Sequence, residues 1–71
     1  MRRKRETRLI HEGGYVAEVP VDLIFMEEGW SPYLSIEDAG KLDEVRIALR
    51  RGDLNEAGRY GQVFALTPIA L

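Results

Sequence analysis

The sequence predicts an α+β domain. A small antiparallel sheet, made of an N-terminal hairpin and a C-terminal strand, is packed by two helices in the order β-β-α-α-β. Three observations predict it. Tyr15, Ala17, Val19, Val21, Leu23 and Phe25 are all apolar and all odd-numbered, which is the period of a half-buried strand. Ser35 and Asp53 each stand where a helix N-cap belongs, with Asp38 and Glu56 at the third helical positions. Gly13-Gly14 and Gly52 punctuate the chain between these segments.

Residues 1–5 have no apolar member after Met1 and read as a flexible basic arm, with residues 6–71 forming one α+β domain. Thr7 to His11 is a short strand candidate, and the Glu12-Gly13-Gly14 turn leads back into the odd-apolar strand, giving a hairpin over residues 7–25. Pro20 lacks an N–H, so the strand is expected to be an edge there or to be bulged. Glu27-Glu28-Gly29 reads as a solvated loop. Pro32 then holds Ser31 extended ahead of the first helix.

Ser35 caps that helix. Glu37 and Asp38 lie at its positive end and Arg50 and Arg51 at its negative end. Gly52 is a natural stop. On a helical wheel Ala39, Leu42, Val45 and Leu49 share the face expected to cover the sheet, while Ile36 and Ile47 fall nearly opposite, among Asp43, Arg50 and Arg51. A short second helix follows Asp53, weakened by Gly58 and Gly61. Val63-Phe64-Ala65-Leu66 closes as a strand before Thr67-Pro68.

Length and composition bound the function. The chain has 71 residues, room for one domain and little more. A core this small leaves a thin margin, which a dimer or partner can complete. With no cysteine, a disulfide framework or thiolate metal site is impossible. No apolar run is long enough to span a bilayer, and no apolar stretch follows the charged start as in a secretory signal, so the expected location is the cytoplasm.

Charge is unevenly spread. Residues 1–8 hold Arg2, Arg3, Lys4, Arg5 and Arg8 against Glu6, a sum of +4. The rest holds five basic and eleven acidic residues, a sum of −6. The result is a basic arm on an acidic body.

No catalytic constellation emerges. His11 is the only histidine, too few donors with Glu12 for zinc, and reads as a strand-end residue rather than a general base. Glu27-Glu28 and Asp43-Glu44 are sequence neighbours, which do not face each other on a helix. Gly13-Gly14 lacks the spacing and following helix of a phosphate loop. No cofactor, no metal and no enzymatic activity are expected.

What remains are surfaces. Arg2, Arg3, Lys4 and Arg5 can neutralise phosphates in a salt-sensitive, sequence-blind way, dock an acidic partner, or only solubilise. Trp30 and Tyr33 flank a proline turn, where aromatics anchor partners or cap a core. Ile47 is hard to bury within a monomer and marks either an interface or a covering element.

The stretch Trp30-Ser31-Pro32-Tyr33-Leu34-Ser35, with Glu37-Asp38-Ala39 and Lys41-Leu42-Asp43-Glu44-Val45-Arg46 behind it, resembles a family of short bacterial and cyanobacterial proteins. A Tyr15-Val16-Ala17-Glu18-Val19 strand before it, and Gly52-Asp53-Leu54 and Leu66-Thr67-Pro68 after it, extend the resemblance over nearly the whole chain. It implies an antitoxin-like component that binds and masks a toxin. Tyr15-Val16-Ala17-Glu18-Val19-Pro20 is also similar to the HicB antitoxins, although the Pro-Gly-Cys segment that follows there is missing. The expected activity is therefore that of a small non-catalytic interaction protein with a toxin partner or a second copy of itself. The alternative is a nucleic-acid-binding regulator using the basic arm.

Overall fold

Strand β1 (Arg2–Glu12) and strand β2 (Tyr15–Phe25) form a long antiparallel hairpin in a computed structural model that describes residues 2–26 and 31–70. Pairing is unbroken from Glu12↔Tyr15 at the turn to Arg2↔Phe25 at the far end. Gly13 takes φ +58° at the turn, a region most side chains avoid.

The flexible arm expected over residues 1–5 is therefore corrected from Arg2 onward. Arg2, Arg3, Lys4 and Arg5 are strand residues facing Phe25, Ile24, Leu23 and Asp22. Their own composition does not favour a strand. The ladder offered by β2 does, and Arg2 adds a cation–π contact with its guanidinium carbon 5.7 Å from the Phe25 ring centre.

A two-residue strand β3 (Tyr33–Leu34) pairs with Ile24 and Leu23. It makes the order β-β-β-α-α-β within the expected α+β class. Helix α1 (Ile36–Arg50) and helix α2 (Leu54–Gly58) follow, then strand β4 (Gln62–Ala65), which pairs antiparallel with the start of β2. β3 and β4 thus share one edge of β2, end to end, and β1 holds the other.

Both helices start as their caps dictate. The Ser35 hydroxyl accepts from the Asp38 N–H at 3.0 Å, and the Asp53 carboxylate from the Glu56 N–H at 3.1 Å. α1 ends in a Schellman arrangement. The Gly52 N–H donates to the Leu49 carbonyl at 3.1 Å and the Asp53 N–H to that of Ala48 at 2.8 Å, with Gly52 at φ +72°.

The core lies between the helices and the odd face of β2. Ala17, Val19 and Val21 pack with Ile10, Val45, Ala48, Leu49 and Ala57. α1 is rolled relative to the wheel prediction. Ala39 is exposed, whereas Ala48 is buried and Asp38 and Lys41 are half-buried.

The gap between β3 and β4 explains the roll. There β2 has a backbone edge with no strand beside it among the described residues. The Asp22 N–H donates to Asp38 Oδ2 at 2.7 Å, and Lys41 Nζ donates to the Pro20 carbonyl. Pro20 and Asp22 point their backbone groups to this side, so the N–H that Pro20 lacks would have had no strand partner. The expectation of a local edge at Pro20 holds, in the middle of an otherwise central strand.

Gly61 is the other tight point. A Cβ built on it would stand 2.0 Å from the Glu18 carbonyl oxygen. Only glycine lets the α2–β4 connection approach β2 this closely.

Candidate interaction surfaces

Strand alternation divides the basic cluster. Ile10 faces the helices, so Arg2, Lys4, Glu6 and Arg8 belong to that side of β1, and Arg3, Arg5, Thr7, Leu9 and His11 to the open side. Arg5 Nε meets Asp22 Oδ1 at 2.9 Å, an exposed pair of small energetic weight. Arg2 lies over Phe25. Arg3 and Lys4 are exposed on opposite faces. The four cations occupy one strand end but do not form one flat patch.

Tyr33 is 48% exposed on the open sheet face beside Ile24, and its hydroxyl lies 3.7 Å from the Met26 sulfur. Trp30, predicted to act with it, falls outside the described residues, as do Glu27 and Glu28. Leu9 and Phe64 are exposed on the same open face, which the helices do not cover. Sequence pattern missed this apolar surface because one β1 leucine and one β4 phenylalanine say nothing about which face is covered.

The outer face of α1 is the second uncovered surface. Ile36 is 91% exposed and Ile47 42% exposed. They lie about 16 Å apart along the axis, three turns, on one stripe with Gly40 between them. Glu37, Asp43 and Glu44 flank the stripe and are exposed, with Asp43 3.8 Å from Arg46, and Arg50 and Arg51, also exposed, flank it beyond Ile47. Ile47 was legible from the helical wheel as a residue off the core face. The same wheel sets Asp43 and Glu44 one turn before it and Arg50 and Arg51 one turn after it, so its surroundings are of mixed charge.

Asp38 has its carboxyl held below the usual carboxylate range. The Asp22 N–H bond lowers its pKa most, helped by the charge and hydrogen bond of Lys41 and by Arg5, while burial opposes them. Its role is to close the β2 edge. At the turn end, Glu12 accepts ion pairs from Arg46 at 3.5 Å and Arg50 at 3.2 Å, tying α1 to the hairpin.

His11 Nε2 lies 2.9 Å from the Gly13 carbonyl at the end of β1. Among the described residues no group of three or more His, Cys, Asp or Glu is placed to hold a metal ion. No helix among them is long and apolar enough to cross a membrane.

These features define a two-layer α+β protein that presents an apolar stripe of mixed-charge flanks on the outer face of α1 and an open sheet on the other side. Comparison with protein-family models, curated proteins and solved structures finds no match to this chain.

Proposed function

We propose that the chain is a small non-catalytic interaction protein, antitoxin-like, that binds and masks a basic partner protein through the outer face of α1. The carrying observation is the pair Ile36 and Ile47, exposed on the helix stripe opposite the core, with Glu37, Asp43 and Glu44 along it and Arg50 and Arg51 at its far end. Burying two isoleucines supplies affinity, roughly 1.5–3 kcal/mol for each side chain fully covered. The body beyond residue 8, with eleven acidic against five basic residues, favours a cationic partner and speeds its encounter. Gly40, between the two isoleucines, carries no side chain to hold a partner's backbone away. The resemblance to toxin-masking proteins supports the same reading.

Titration with the protein encoded by the neighbouring gene tests it. Ile36→Ser with Ile47→Ser is expected to weaken binding by tenfold or more, and Leu9→Ser on the opposite side to leave it unchanged. A chain that binds no neighbour, or whose binding ignores both isoleucines, sinks the proposal.

A second reading, a nucleic-acid-binding regulator, is favoured by one observation, the concentration of Arg2, Arg3, Lys4, Arg5 and Arg8 in β1. Binding through this strand should weaken steeply with salt. Arg3→Ala with Lys4→Ala should lower both the affinity and the salt slope. Affinity for duplex or single strands that ignores these changes removes this reading.

A further inference from the structure

We propose that β1 pairs with β1 of a second copy of this chain, antiparallel and centred on Thr7, to join two four-stranded sheets edge to edge. β1 is an edge strand of 11 residues, and no described strand lies along its outer side. Such an edge is a row of unpaired N–H and C=O groups.

The phase of that row is set by the fold. In β2, Pro20 and Asp22 direct their backbone groups away from β1. The odd residues of β2 therefore bond to β1, and their partners there are the even residues, Arg2 to Glu12. Arg3, Arg5, Thr7, Leu9 and His11 are left with N–H and C=O pointing outward.

A twofold pairing must oppose outward residues to outward residues, which leaves only a few registers. Centred on Glu6, the pairing sets Glu6 against Glu6 and Lys4 against Arg8. Centred on Arg8, it sets Arg8 against Arg8. Centred on Arg5, it sets Arg5 against Arg5 and Arg2 against Arg8. Centred on Leu9, it sets Glu6 against Glu12. Like charges directly opposite destabilise a sheet.

Centred on Thr7, no like charges meet. Glu6 faces Arg8 of the second copy and Arg2 faces Glu12, each twice by symmetry. Lys4 faces Ile10, Arg5 faces Leu9 and Arg3 faces His11. The aliphatic stem of Arg5 can lie over the exposed Leu9 of the other copy. This register also keeps the whole strand paired. The basic composition of β1, which blocks casual edge pairing, thus admits one alignment of the whole strand; centring on Ile10 also avoids like charges but pairs only residues 8–12. The occupied edge is distinct from the α1 face, so this inference and the partner-binding reading fail independently.

The native chain has no cysteine, which makes the register directly testable. Thr7→Cys introduces a single thiol. In the proposed dimer it faces its own mate at about 5.5 Å between Cα atoms, within disulfide reach. Leu9→Cys would stand about 13 Å from its mate, four residues out of step. Under mild oxidation Thr7→Cys is expected to give a covalent dimer and Leu9→Cys to remain mostly uncoupled. In solution the native chain should have a dimer mass. Glu6→Arg and Arg8→Glu should each weaken the dimer by about tenfold, and the double swap should restore it to within about threefold. A monomeric mass at the highest soluble concentration, equal coupling of the two cysteine variants, or no rescue by the swap would overturn the proposal.

Discussion

β1 and β2 are equally long and hydrogen-bonded to each other along their length, yet their other edges are treated differently. β2 is closed on its far side by β3, by the Asp38–Lys41 pair of α1, and by β4. β1 is closed by nothing among the described residues and carries five cations. The difference shows two solutions to one problem, unpaired backbone at a sheet edge. One edge is satisfied inside the chain by a helix turned to meet it. The other is protected by charge, and its charge order leaves one self-complementary register along the whole strand.

The sharpest way to break the comparison is to remove inward and outward N–H groups in turn. Glu6→Pro deletes an N–H that bonds to β2 and is expected to cost about 3 kcal/mol or more, read from the urea midpoint. Gly61→Ala attacks the closed edge by forcing a methyl group against the Glu18 carbonyl. Its expected cost is up to about 3 kcal/mol, with hydrogen-exchange protection lost first over Gln62–Ala65. In a domain with a core this small, either change can unfold the chain, so far-ultraviolet circular dichroism should accompany the titration.

Asp38→Ala opens the β2 edge at Asp22 and is expected to cost about 2 kcal/mol, the range of hydrogen bonds to charged groups. The pH dependence follows from the sign of the shift. Asp38 is held below its unfolded-state pKa, so its contribution is complete above that value, about 4. The contribution is lost as pH falls through the lower folded value. Asp38→Asn should therefore flatten the acid limb of the stability profile, and an unchanged limb would show that Asp38 does not carry it.

Thr7→Pro deletes an outward N–H and should cost the isolated fold less than about 1 kcal/mol while abolishing self-association, the reverse of Glu6→Pro. Arg5→Ala is the smallest expected effect. The Arg5 side chain in the Asp22 pair is 68% exposed, and its loss should change stability by at most about 0.5 kcal/mol.

Much of the local structure was legible. The Ser35 and Asp53 caps, the Gly52 stop and the odd apolar face of β2 each depend on residues within a few positions of one another, and all four were read from pattern. β3 was not legible, because two residues form a strand only where Leu23 and Ile24 present a ladder to them. The strand character of Arg2, Arg3, Lys4 and Arg5 was hidden for the same reason. Of the candidate surface residues, Ile47 was readable from its wheel position. Leu9 and Phe64 were not, since their exposure depends on which sheet face the helices leave bare.

Local pattern in the chain sets where helices begin and end, which face of β2 is apolar, and that Ile36 and Ile47 stand off the core. Those are short-range consequences of capping, backbone freedom and side-chain period. The assembled sheet sets Pro20 opposite a gap, rolls α1 to place Asp38 and Lys41 in it, and leaves the outer edge of β1 without a partner strand among the described residues. Those outcomes depend on which backbone groups remain unpaired after the strands have assembled, and that is a property of the whole sheet.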